Sequence, residues 1–210
     1  MRSMEFMLVE FHRSFGATIN TRPTVPSDRD RTMRHRLVAE ELGETRDALV
    51  ADDFPAFVDG LIDSLYVLVG TNVTYGLLTV QPIYGLPIRA PGFPLEYGKG
   101  ILAGILDSMM SVANLVLDPE KNTAVDTMVV ELAMNKLIAD CLSLLHLCSV
   151  DAMHVFAEVH LANMRKLGPD GLPLKREDGK VMKPVGWTPP EIKRVLADQS
   201  RRFDYPLRKE

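Results

Sequence analysis

The sequence predicts an all-α protein, and three observations carry that reading. Apolar residues recur at intervals of three and four through five stretches, at about 5–15, 28–50, 56–78, 101–117 and 123–167. Proline and glycine, which break helices, gather between most of these stretches, at Pro23 and Pro26, at Pro55, across 82–100 and across 168–190. Almost no run alternates apolar and polar residues over the length of a strand. With 210 residues, 46% of them apolar, the chain can bury one good-sized core without disulfide staples.

The elements follow in order. Phe6, Met7, Val9, Phe11 and Phe15 mark a short amphipathic helix that Gly16 closes. After the Pro23 and Pro26 loop, a second helix runs from about 28 to 50. Asp52, Asp53 and Pro55 separate it from a third, at about 56–78, and two helices on so short a loop should pack antiparallel. The segment 82–100 reads as a linker. A fourth, strongly apolar helix at 101–117 ends at Asp118 and Pro119, and Thr123 with Asp126 resembles a capping arrangement for the next. From there to Leu167 there is no glycine or proline, a length that calls for a restart, and Ser149 followed by Asp151 offers one. A small hairpin around Asp170-Gly171 and Asp178-Gly179 and a final charged helix opened by Pro189 and Pro190 complete the chain.

The formal charge of -4 is spread along the chain, which argues against a nucleic-acid binder or a polybasic membrane anchor. Cys141 and Cys148 are seven residues apart, about 10 Å along a helix, so they read as buried free thiols of a reducing compartment. The first residues lack the apolar stretch of a signal peptide, and no uninterrupted apolar run reaches membrane-spanning length. A cytoplasmic protein with no nucleic-acid partner and no membrane contact is the expectation.

The second and third helices carry a concentration of acids. Glu40, Glu41 and Glu44 on one, and Asp59 and Asp63 on the other, fall at spacings that share helix faces. Glu41 and Glu44 border the apolar Val38, Leu42 and Leu49, while Asp59 and Asp63 are the only charges on a helix that otherwise reads as buried. Glu40, Glu44 and Asp47 could equally form a solvated face with Arg36 and Arg46. Asp59 and Asp63 fit that description poorly, because an unpaired carboxylate on a buried helix is costly and the helix upstream offers more acids. Hard oxygen ligands in a helical bundle suit magnesium, with manganese as the alternative. Such ions, bridged by carboxylates, are a standard arrangement for cleaving phosphoric anhydrides.

A helix carrying Glu-x-x-Glu followed by one carrying an acid and Asp resembles the all-α nucleoside triphosphate pyrophosphohydrolases, in their MazG-like and phosphoribosyl-ATP pyrophosphohydrolase-like branch. Three further stretches share the resemblance: Val9-Glu-Phe-His-Arg-Ser-Phe-Gly16, the run from Asp59 to Thr71, and Glu158-Val-His-Leu-Ala-Asn-Met-Arg-Lys166 with the loop through Trp187-Thr-Pro-Pro190. It implies an antiparallel four-helix MazG-like core from 1–81 and 149–210, with 82–148 as an inserted helical hairpin, assembled as a homodimer or homotetramer. It implies Glu41, Glu44 and Asp63 as Mg2+ ligands, with Asp59 as a fourth, and Glu40 as a ligand or, with Glu41, the water-activating base. Asn163 and Lys166, and further along Lys180 and Lys183, would bind substrate phosphates. The family pattern has Glu where this chain has Gly60, leaving Asp59, one helical turn from Asp63, as its substitute. Bland readings stand beside these: Asn163 as a helix cap, Lys166 as a solvated lysine, and His160 as an ordinary core or surface histidine.

The activity implied is Mg2+-dependent hydrolysis of a nucleoside triphosphate or related nucleotide to the monophosphate and pyrophosphate. The alternative is a catalytically weak nucleotide-binding or oligomerisation module in which 82–148 docks a partner. That segment holds Met109, Met110, Leu115, Val116, Met128, Val129, Val130, Leu132 and Met134, although a methionine-rich stripe is more often plain core.

Overall fold

Capping residues written into the sequence set most of the helix boundaries. The structure, a computed structural model, describes residues 3–80, 82, 85, 87, 89–94, 98–176 and 181–204. Helix α1, Met4–Phe15, starts where the Ser3 hydroxyl accepts the Phe6 amide and stops at Gly16, whose φ of 57° is left-handed. Helix α2, Asp28–Val50, is capped by Ser27, and α3, Phe54–Tyr75, by Asp53, with Pro55 in its first turn where no amide is needed. The remaining helices are α4 (Gly98–Val116), α5 (Thr127–Leu147), α6 (Ala152–Met164) and α7 (Ile192–Asp204).

Seven helices and no named strand among the described residues make the protein all-α, as the sequence predicts. The restart expected near Ser149 is present: α5 ends at a Cys148 cap, Ser149 turns at φ 57°, and Asp151 caps α6. Four boundaries differ. α4 begins at Gly98, three residues earlier than expected and inside the segment read as a linker. α3 ends at Tyr75 because Gly76 sits against the Arg22 carbonyl, where a Cβ would come within 2.2 Å of the oxygen. α5 is capped by Asp126 itself, whose Oδ1 accepts the Met128 amide, so Thr123 has no part in it. α7 starts at Ile192, two residues beyond Pro190. In place of a regular hairpin, 167–181 forms two isolated antiparallel bridges, Leu167 with Pro173 and Lys175 with Val181. The expected turn at Asp178-Gly179 lies outside the described residues.

Helix α3 is the centre of the molecule and packs against α1, α2, α5 and α6. Its run from Phe57 to Tyr75 is buried almost throughout, and α2 lies along it antiparallel. Two close approaches fix that register: Thr45 faces Gly60, and eleven residues back along α2 Arg34 faces Gly70, ten residues on along α3. A Cβ at Gly60 would lie 2.6 Å from Thr45 Oγ1 and 3.0 Å from its Cα, so only glycine allows this crossing. Helices α4 and α5 pack on α2 and α3, adding Leu102, Leu106, Met109, Val130, Met134 and Leu137 to the same apolar core. Of their other apolar residues, Leu115, Met128, Val129 and Leu132 are exposed. Helices α3 and α4 are each long and apolar enough to cross a membrane, but α3 is spent on this core and α4 lies along α2. Cys141 and Cys148 are free, buried thiols whose burial raises both pKa values, Cys148 to about 12.

Candidate active site

The α2–α3 crossing decides where the acids go. With Thr45 pressed on Gly60, the residues next to this contact, Glu44 on α2 and Asp59 on α3, and those one turn away, Glu41 and Asp63, border a common cleft of about 780 Å³. Glu40 lines it as well. From the other side come Asn163 on α6, Lys166 just beyond that helix, and Lys183 and Trp187 from the loop that follows. Every described residue expected in the site therefore borders one space. Lys180 lies outside the described residues.

Crowding marks the acids electrostatically. Burial, then the charges of Asp63, Glu44 and Glu40, pushes Glu41 up from 4.5 to about 8, with Lys166 pulling the other way. Burial and Asp59 raise Asp63 from 3.8 to about 7, opposed by Lys166 and Lys183. Asp59 is raised by burial and by Glu44, and its Oδ1 is buried with no hydrogen-bond partner. Carboxylates so placed hold protons near neutral pH unless a cation takes their place.

Among the described residues no three His, Cys, Asp or Glu side chains are drawn together tightly enough to hold a metal ion as they stand. The fit to a divalent ion rests on the donor set: only hard oxygens, on two rigid helices, with one orphaned buried oxygen on Asp59. Gly60 cannot supply a further ligand, because the position where the family pattern has Glu is filled by Thr45. Arg46, one of the arginines that could have solvated the α2 acids, pairs instead with Asp107 of α4 at 3.0 Å.

The basic side of the cleft is organised by contacts that the sequence does not announce. Lys166 Nζ donates to Asn163 Oδ1 at 2.6 Å. Trp187 Nε1 donates to the Ala162 carbonyl at 2.8 Å, and its ring lies 4.4 Å from Lys183 Nζ and 5.7 Å from Lys166 Nζ. His160 is buried and tied on both ring nitrogens. Its Nε2 meets Glu10 at 3.3 Å, so Nδ1 is left to accept the Tyr66 hydroxyl at 3.0 Å. Tyr66 lines the cleft beside Asp63 and also reaches Asn163. The motif carrying Asn163 and Lys166 is thus braced against α1 and α3. Trp187, Tyr66, His12 and Arg34 are among the lining residues that sequence reasoning did not assign; the quoted motifs around positions 9–16 and 187–190 were the available signal.

The α2–α3 hairpin thus sets five acids across one cleft from Lys166 and Lys183. Residues 8–84 match the family model described as phosphoribosyl-ATP pyrophosphohydrolase, and this segment is a helical domain of that type, within the all-α pyrophosphohydrolase branch. The match spans α1, α2 and α3 and covers less than half of the chain. The chain is also 30% identical over 104 residues to a probable mannitol dehydrogenase of Mesembryanthemum crystallinum. That similarity takes in 47% of this chain, and the chain spans only 28% of the length of that curated relative.

Proposed function

We propose that the protein is a Mg2+-dependent nucleotide pyrophosphohydrolase, which splits a nucleoside triphosphate or a related nucleotide into the monophosphate and pyrophosphate. The observation that carries this reading is the convergence of Glu41, Glu44, Asp59 and Asp63 on one cleft opposite Lys166 and Lys183. Those four acids would hold magnesium, or manganese in its place, and the bound ion would supply charge neutralisation and a more acidic water.

The chain's own groups account for the rest of the chemistry. Water adds to the α-phosphorus as the bond to the bridging oxygen of the β-phosphate breaks, and pyrophosphate leaves with that electron pair. Glu40 or Glu41, at the edge of the acid cluster, takes the proton that the water loses. Lys166, held by Asn163, and Lys183, held over Trp187, offset the charge that builds on the leaving group. The α2–α3 crossing at Gly60 keeps the acids from drifting apart.

The likeness to a dehydrogenase does not alter this reading, since nicotinamide-dinucleotide binding of the doubly wound type rests on βαβ units. The exposed Leu115, Met128, Val129 and Leu132 favour, as a second feature, a homodimer or homotetramer formed through α4 and α5. The test is to incubate purified protein with nucleoside triphosphates and MgCl2 and to measure pyrophosphate. Release that EDTA abolishes supports the proposal, and intact nucleotides throughout would refute it.

A further inference from the structure

The cleft does not end at the acids. Asp30, Met33, Leu37, Glu41 and Glu44 recur at intervals of three and four on α2, so one stripe of that helix lines the cleft for about 20 Å. Away from the acids the walls are Phe11, His12, Phe15, Thr18 and Arg34, from α1, the loop after it and the first half of α2. Phe11 and Phe15 are stacked with centroids 4.2 Å apart, and Phe11 meets Tyr66 edge-on at 5.4 Å, which joins this arm to the acid end.

Two polar side chains here are buried with one nitrogen each left unpartnered. His12 Nδ1 lies 2.9 Å from the Thr18 carbonyl oxygen. A carbonyl can only accept, so Nδ1 carries the proton and Nε2 is a bare acceptor, buried and unbonded. Arg34 is buried with an unbonded Nε, and the carboxylate that supports its charge, Asp30, is already engaged by the hydroxyls of Thr18 at 2.9 Å and Ser27 at 3.1 Å. Arg34 Nη1 and His12 Nε2 both lie over Gly70, where a Cβ would come within 3.0 and 3.1 Å of them. Arg34 Nε and His12 Nε2 are thus a buried donor and a buried acceptor without partners in one wall of the cleft, at a cost in stability that a ligand supplying the matching groups would relieve.

We propose that this arm seats the nucleoside end of the substrate: a nucleobase edge presenting an N–H beside an acceptor answers His12 Nε2 and Arg34, with Phe11 and Phe15 flanking the ring. The proposal rests on the pyrophosphohydrolase reading for the polyphosphate end. Arg34 and Glu44 are about 15 Å apart along α2, so a ligand touching both ends must be extended, as a nucleotide with a polyphosphate tail is.

Calorimetry on the full chain with Mg2+ at pH 7.5 tests it, using α,β-methylene nucleoside triphosphates of each base and inorganic tripolyphosphate as probes. The wild type is expected to bind at least one nucleotide roughly tenfold or more tightly than tripolyphosphate, the range of one charge-assisted hydrogen bond. His12→Phe and Arg34→Met should each lose that preference and keep tripolyphosphate affinity within about twofold. Arg34→Met should also melt no lower than wild type, because it removes a buried cation whose desolvation outweighs its support from Asp30. A preference that persists in both variants, a parallel loss of tripolyphosphate binding, or a lower melting temperature for Arg34→Met overturns the assignment. Equal wild-type affinity for tripolyphosphate and every nucleotide overturns the nucleoside seat and leaves the polyphosphate end standing. Nucleotide binding without tripolyphosphate binding supports the seat and strikes the polyphosphate reading; binding of neither overturns both.

Discussion

Raising the pH from 6.5 to 8.5 in EDTA should destabilise this protein, because its acid cluster folds in the protonated form. Glu41 and Asp63 have folded pKa values pushed up to about 8 and about 7, above 4.5 and 3.8 for the free side chains. The native state therefore binds protons that the unfolded chain has already released. That contribution is complete below pH about 4 and is lost as the pH climbs through the folded values. Over the chosen window Glu41 gives up about 1.5 pH units of this advantage and Asp63 about 0.5, together about 3 kcal/mol. Solvent reaching Glu41 through the cleft reduces that to about 2 kcal/mol. His12 does not interfere: burial, aided by the Arg34 charge, lowers it to about 4, so it is neutral in both states over most of this range. For a chain of this length the loss corresponds to a fall of roughly 4–8 °C in melting temperature. Differential scanning calorimetry across the window measures it, with Glu41→Gln as the control that should flatten the slope. A wild-type melting temperature that is level or rises, or a slope undiminished in Glu41→Gln, refutes the reasoning.

Magnesium should reverse that fall, giving about 2.7 kcal/mol at a hundredfold excess over its Kd and less at pH 6, where protons compete for the same oxygens; thermal melts at both pH values report the difference. Glu41→Gln should lower pyrophosphate release by about 100-fold or more in steady-state assays while raising the melting temperature at pH 8. Lys166→Met should slow release by about 100-fold and move the acidic limb of the pH–rate profile to higher pH, since Lys166 holds Glu41, Asp59 and Asp63 down and these act deprotonated. Gly60→Ala should cost about 1–3 kcal/mol in chemical denaturation, because its new methyl group meets Thr45 backbone as well as side chain.

The helices were legible in the sequence where their caps are local. Gly16, Ser27 and Asp53 sit within one turn of the boundary they set, and α1 and α2 fall where the periodicity puts them. The end of α3 was less legible because Gly76 answers to Arg22, more than fifty residues upstream. The acids were legible for a different reason: carboxylates on an otherwise apolar helix violate the pattern around them. What the pattern could not give was the meaning of Gly60, which reads as a missing acid until the Thr45 contact shows that a side chain has no room there. Nor could it join His12 to Arg34. Neither residue breaks a local rule, and they share no helix. Only the packing of α1 and α2 over Gly70 brings these two ordinary polar residues together, each with one nitrogen unpartnered.

Trp187 is the only tryptophan in the chain, and its indole lies within 5.7 Å of the ammonium groups of both Lys166 and Lys183. Anything that draws those ammonium groups off the ring changes the electric field across it, and with that the colour and yield of its emission. The protein therefore carries a built-in optical probe of occupancy at this spot, readable in stopped flow without a dye or an added label.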